Sequence, residues 1–336
     1  MWYKEGYRVK HIQNNPNQSI DFMLTGFHFE HKERIDYDST NKIIYQKNQD
    51  QVSVISGGGS GHEPAHFGYV GKNMLTASVN GELFIPPEPK AILEAIKKTD
   101  NGKGALLIVK NFARDMASFT EAKEKAIKLG HKTDIVCVAD DHSIEDTHTF
   151  KKRHRGVAGT LFVHKIVGAF AEKGMSLKDL KKLGDDVSAN LYTLGVALSP
   201  ARTPENEHAT FDLLEGEVYY GIGIHGEKGY RKVPYHSSEQ LAIELVNKLK
   251  RLIDWTPEDT FAVLINGLGS TTLMEQYIFT NDIRRLLNLE QIDTSFVKVG
   301  SHLTSYNMHG ISLTLLKVND LKWIDALKEE TNASHW

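Results

Sequence analysis

Residues 52–77, VSVISGGGSGHEPAHFGYVGKNMLTA, decide how this chain is read. They open on a β-branched run, Val52-Ser53-Val54-Ile55, that reads as a buried strand. The run gives way to Gly57-Gly58-Gly59-Ser60-Gly61, small residues whose backbone N–H groups can approach a ligand oxygen without side-chain obstruction. His62, Glu63 and His66 follow at once, so titratable groups sit beside that cradle. A strand opening into a Gly-rich loop is where open α/β sheets place ligands.

Other readings of the stretch lack their structural context. His62-Glu63-Pro64-Ala65-His66 matches the zinc-protease letters H-E-x-x-H, which require a helix to aim both imidazoles at one metal. Pro64 and the small residues before it argue against that helix, so no metal is expected. The phosphate-binding G-x-x-x-x-G-K-[ST] pattern fails because His62 stands where Lys is needed. A tight turn with a surface His is the plainest alternative, but a turn does not need so many small residues in a row.

Outward from this stretch, strand and helix signals alternate. Pro86-Pro87-Glu88-Pro89 starts a helix running to Lys98, with Ile92, Leu93 and Ile96 at helical spacing. Leu106–Val109 is an apolar strand with Lys110, Asn111 and Asp115 at its C-terminal end. A helix to Gly130 and a strand over Asp134–Val138 come next. The alternation predicts a parallel sheet covered on both faces. Lys151-Lys152-Arg153-His154-Arg155 reads as a solvated basic loop. Leu161–Phe170 is an apolar helix in which His164 is expected to be a hydrogen-bonded core residue. After a helix over 177–191, a second domain is expected to begin near Val187, giving 1–186 and 187–336. Its predicted strands are 218–220, 261–265, 296–299 and 312–318, with a helix over Ser238–Leu252. Before residue 51 there is only an amphipathic stretch, Ser19–Phe29, and charged loop sequence, suited to covering a sheet edge or meeting a partner.

Composition narrows the function classes. A chain of 336 residues, 40% hydrophobic and 25% charged, is an ordinary globular sequence with room for two cores. A net charge of −3 does not suit direct DNA, RNA or anionic-membrane binding. The lone Cys137 cannot form an internal disulfide, the N-terminus is polar, and no apolar run is long enough to span a membrane. A cytoplasmic protein is expected. Gly221-Ile222-Gly223-Ile224-His225-Gly226 matches the dinucleotide pattern G-x-G-x-x-G, but Gly229 and Pro234 rule out the helix that pattern needs.

SGGGSGHEPAH with GYVGKNMLTA, the segment IVKNFARD, RGVAGTLFVHKI, LGVALS, GIGIHGE, INGLGSTTLMEQY and MHGISLTLL together resemble the dihydroxyacetone kinase substrate-binding subunit family, DhaK. The resemblance is clear from near Gln51 onward. It implies an α/β protein of two domains, each a sheet flanked by helices, with the ligand site between them. In the family the His of GIGIHGE binds substrate covalently, so His225 is expected to attack the ketone of dihydroxyacetone and form a hemiaminal. His62 matches the His that bonds substrate and assists proton movement. Asp115 matches the base toward the hydroxyl being phosphorylated, and Lys110 a substrate contact. Gly59, Ser60 and Gly61 match a loop contacting substrate hydroxyls. No cofactor is expected on this chain, because nucleotide and Mg²⁺ belong to the partner subunit, DhaL. A homodimer is implied by the same resemblance.

Departures from the family pattern cluster where a phosphoryl donor would dock. Phe112-Ala113-Arg114-Asp115 replaces Tyr-Thr-Gly-Asp, the 80–87 segment NGELFIPP replaces CGDVFASP, and Pro200-Ala201 replaces Ser-Cys. Added bulk and charge at a mouth can exclude one partner and leave the inner pocket intact. The pattern resembles the family's coactivator branch, DhaQ: a non-catalytic dihydroxyacetone sensor that works through a TetR-like regulator, DhaS, without touching DNA itself. The alternative is a working kinase subunit that pairs with DhaL.

Overall fold

The computed structural model describes residues 11–143, 154–203 and 209–336. The chain enters through α1 (Ser19–His31) and a hairpin of β1 (Ile35–Asp38) and β2 (Ile43–Gln46). The charged sequence after Phe29 is therefore strand rather than loop, because Ile35, Ile43 and Ile44 are fully buried and anchor the pair. Next come β3 (Ser53–Ser60), β4 (Ala77–Leu83), α2 (Pro89–Thr99), β5 (Ala105–Lys110), α3 (Ala113–Lys128) and β6 (Thr133–Val138). The first sheet has the order β1-β2-β4-β3-β5-β6, with β4, β3, β5 and β6 parallel and β1–β2 joined antiparallel at one edge.

Two helices, α4 (Thr160–Glu172) and α5 (Leu177–Ala189), lead to the second sheet. Its strands are β7 (Leu191–Ser199), β8 (Glu217–Tyr220), β9 (Arg231–Pro234), β10 (Thr260–Gly267), β11 (Asp293–Gly300) and β12 (His309–Lys317), in the order β11-β10-β12-β7-β8-β9. Only β10–β11 is parallel; the other pairings are antiparallel. Helices α6 (Ser238–Ile253), α7 (Leu273–Leu289) and α8 (Lys322–Lys328) complete the chain.

Alternation along the strands sorts these elements into layers. On β5, Leu107 and Val109 pack with α2 and α3, whereas Leu106 and Ile108 face the α4 side. On β10, Phe261, Val263 and Ile265 pack with α6 and α7, whereas Ala262 and Leu264 join the same cluster as α4 and α8. The α4 helix thus lies in a core shared by both sheets, which explains why it is buried on every side. A division at 186/187 falls inside α5, which packs on β6 of the first sheet.

The glycines of β3 differ from their sequence reading. They lie within a hydrogen-bonded strand that ends at Ser60, not in a loop after Ile55. Gly57 needs its missing side chain for close approach: a Cβ there would collide with the Val79 carbonyl of β4. Gly57→Ala is expected to cost about 1–3 kcal/mol through forced strand displacement. A lower denaturant midpoint with an unchanged m-value would register it.

Candidate functional site

The site forms where the C-terminal end of β3 meets the loop after β8. Strand β8 delivers Gly221, whose φ of +75° turns the chain, and the return into β9 leaves His225 at the tip. Glu227 is folded back onto that histidine. Its Oε2 accepts the His225 backbone N–H at 3.0 Å, and its Oε1 accepts from His225 Nδ1 at 2.9 Å. Burial alone would raise the Glu227 pKa, but the hydrogen bond and charge of His225 override it and bring it down to about 2. The His225 side chain keeps 21% of its surface exposed, so a small ligand can reach it.

His62 meets this histidine from the first sheet. It is fully buried, its Nδ1 donates to the Thr304 carbonyl at 2.8 Å, and its Nε2 lies 3.0 Å from His225 Nε2. The 301–308 loop clamps the β3 end in place. Thr304 N–H donates to the His62 carbonyl at 3.2 Å and Tyr306 N–H to the Gly61 carbonyl at 2.6 Å.

Counting protons fixes what this pair can do. A carbonyl and an ionised carboxylate accept only, so both Nδ1 atoms carry hydrogen. Two bare Nε2 lone pairs would repel at 3.0 Å, so one proton lies between them. Burial, then the neighbouring Lys110 and His225, push the His62 pKa well below the ordinary imidazole value. Glu227 is placed to balance a positive charge on the His225 ring. Two aromatic edges enclose the ring: Phe112 at 4.6 Å and Phe84 at 5.4 Å between centroids.

Lys110 and Asp115 lie next to this pair. Lys110 ends β5, is buried, and its Nζ has no hydrogen-bond partner among the described residues. Burial lowers its pKa, opposed by the charges of Asp115 and Glu227. Asp115 lies in the first turn of α3, and burial raises its carboxyl pKa against the pull of Lys110. Gly58 faces both groups: a Cβ there would lie 3.1 Å from Lys110 Nζ and 3.3 Å from Asp115 Oδ1.

His225, His62, Lys110 and Asp115 are thus brought together. Gly59, Ser60 and Gly61 turn the other way. Gly59 packs on the backbone of Phe84 and Ile85, the Ser60 hydroxyl donates to the Gly81 carbonyl at 2.7 Å, and Gly61 N–H donates to Glu63 at 2.8 Å. Arg114 is exposed on α3 beside Asp115. His62 and His66 do not face one point, since His66 meets His164 instead, and residues 62–66 form no helix. His164 is buried as expected, but neither ring nitrogen has a hydrogen-bond partner among the described residues. No group of three or more His, Cys, Asp or Glu among them is arranged to hold a metal ion.

Glu227 and Thr304 are not singled out as site residues from the sequence, whereas Gly58 stands in the predicted cradle and Phe84 and Phe112 in the segments read as the mouth. A carboxylate two positions after a loop histidine is a local signal that could have found Glu227. Nothing local could have found Thr304, which is distant in the chain from His62.

Comparison with known proteins gives the family and the fold. The family model described as the Dak1 domain matches residues 25–335, so the match begins within α1, well before Gln51. The chain is 48% identical over 327 residues to the DhaKLM operon coactivator DhaQ of Lactococcus lactis, covering 96% of this chain and 99% of that protein. It is 43% identical over 330 residues to the dihydroxyacetone-binding subunit DhaK of PTS-dependent dihydroxyacetone kinase 1 of Listeria innocua, covering 98% and 100%. A solved structure of the dihydroxyacetone kinase operon co-activator DhaQ superposes with a TM-score of 0.90 at 48% identity, covering 94% of this chain and 98% of that one.

Proposed function

Because the chain belongs to the Dak1 domain family, we propose that it is a dihydroxyacetone-sensing coactivator that binds its ligand covalently through His225. One observation carries the reading: two imidazoles from different sheets share a short Nε2–Nε2 contact, backed by a carboxylate on one side and a carbonyl on the other. His225 Nε2 attacks the ketone carbon as the π electrons move to oxygen. The proton held between the two rings passes through His62 to that oxygen, which becomes the hemiaminal hydroxyl. The His225 ring, now substituted at Nε2 and protonated at Nδ1, keeps one positive charge opposite Glu227. Net charge in the site is unchanged by bond formation, so no buried charge is created. Lys110 and Asp115 take the terminal hydroxyls, and Gly58, which faces both, leaves room beside them. Glycerol, without a ketone, is not captured.

The coactivator reading draws support from the DhaQ likeness and from the bulk at the mouth. Arg114 lies exposed beside Asp115, and Ile85, where the family pattern has Ala, is exposed next to Phe84. Phosphoryl transfer is lost in this reading. A kinase-subunit reading, with a DhaL partner, is favoured by one observation: Asp115, Lys110 and His62 are all present around His225. The charge balance of −3 leaves DNA contact to the partner, a TetR-like regulator of the DhaS type. A homodimer is part of the same proposal.

The test is association of the purified protein with that regulator, with and without dihydroxyacetone, for wild type and His225→Ala. Ligand-dependent association lost in the variant is the expected result, and by linkage the regulator tightens dihydroxyacetone binding. Equal association in all four conditions would overturn ligand gating. Turnover of dihydroxyacetone with DhaL and its phosphoryl donor, above that of DhaL alone, would favour the kinase reading instead.

A further inference from the structure

Arg155 is not the solvated residue that the basic run 151–155 predicts. Lys151–Arg153 lie outside the described residues, but Arg155 is only 7% exposed. Its Nε donates to Asp141 at 2.6 Å, and its Nη2 donates to Ser143 Oγ at 2.7 Å and to the Gly221 carbonyl at 2.8 Å. Nη1 has no hydrogen-bond partner among the described residues and lies over Gly223. A Cβ on Gly223 would lie 2.7 Å from Nη1 and would collide with Oε2 of Glu227.

One planar cation therefore joins the segment after β6 to the start of the loop that carries His225. At the near end it holds the carbonyl of Gly221, where the positive φ sets the path of the turn. At the far end, Nη1 and Glu227 Oε2 both border the space that a Cβ on Gly223 would fill, without an ion pair between them among the described residues. A buried Arg–Asp pair is often neutral for stability against apolar residues of similar size, so stability alone does not account for it. Its geometry does: Nε and Nη2 reach Asp141, Ser143 and the Gly221 carbonyl from one plane, which a lysine ammonium cannot reproduce.

We infer that Arg155 is a positioning residue for His225, acting through Gly221 and Glu227 to keep the carboxylate on the imidazole. The inference deepens the covalent-capture reading and rests on it for its ligand readout. It has a ligand-free readout as well. With histidine labelled by ¹⁵N, the Nδ1 proton bonded to Glu227 gives a downfield resonance, assigned by its loss in His225→Ala. Arg155→Lys is expected to broaden or remove that resonance, and Asp141→Asn, which removes the charge paired with Nε but keeps the guanidinium, to weaken it.

The second readout is a double-mutant cycle of Arg155→Lys and Glu227→Gln on dihydroxyacetone affinity. Residues acting as one unit are non-additive. Arg155→Lys should weaken binding about 5- to 20-fold with Glu227 present and less than about 2-fold without it. An unchanged Nδ1 resonance in both variants, or the same fold-loss in both backgrounds, would overturn the inference and leave Arg155 a strut. The ligand-free resonance decides this even if bound ligand keeps a trigonal carbon, which would count against covalent capture alone.

Discussion

His225→Ala is expected to abolish the stabilisation that dihydroxyacetone gives the wild-type protein while leaving the ligand-free fold intact. A ligand that binds only the folded state at about 100 times its dissociation constant adds about 2.7 kcal/mol. Most of that depends here on the bond to His225 Nε2, because the remaining contacts are hydrogen bonds to a small polar molecule that water also solvates well. The expected loss of apparent affinity is at least about 100-fold, or about 2.7 kcal/mol. The fold should survive because the side chain is partly exposed and its tethers, to His62 and Glu227, are local to the site. Calorimetric scans with and without dihydroxyacetone check both halves: the wild-type midpoint rises and the variant's does not, from similar starting values. A full ligand-induced shift in the variant would place the bond elsewhere.

Glu227→Gln carries the second-largest effect. Glutamine keeps the shape and can still accept from His225 Nδ1, but it removes the charge facing the substituted imidazolium. A hydrogen bond to a charged group contributes about 1.5–3 kcal/mol, so affinity should fall about 10- to 100-fold. Because the His225 contact holds the Glu227 pKa near about 2, the carboxylate is already ionised at neutral pH. The sign follows: its contribution is present above the ordinary carboxylate range and is lost only as pH falls toward that depressed value. The side-chain carboxyl ¹³C resonance of Glu227 should therefore stay that of a carboxylate from near neutrality down to about pH 5, since Glu227 does not titrate there. A resonance that moves to the protonated position over that range would mean that Glu227 is not held ionised.

How much of this was legible in the sequence differs by element. Helix α2 was, because Pro89 fixes its first turn and Ile92, Leu93 and Ile96 face the core. Strand β5 was also, as an uninterrupted apolar run buried on both faces. The strand character of Gly57–Ser60 was not, because glycine's low strand preference hides a need for close backbone approach to β4 that only pairing reveals. Helix α7 carries its own marker, a capping box of Thr272 and Glu275, that apolar periodicity does not raise. In the site, His62, Lys110, Asp115 and His225 stand in recognisable motifs. Thr304, Phe84 and Arg155 reach the site only through tertiary folding, and a basic run gives no sign that its last residue is buried against Asp141.

The most direct measurement is the carbon spectrum of dihydroxyacetone labelled with ¹³C at the ketone position and held by saturated wild-type protein. Capture by His225 predicts that the bound carbon leaves the carbonyl region and resonates as a tetrahedral carbon bearing oxygen and nitrogen, a signal missing in His225→Ala. A bound carbon that stays in the carbonyl region would contradict the account.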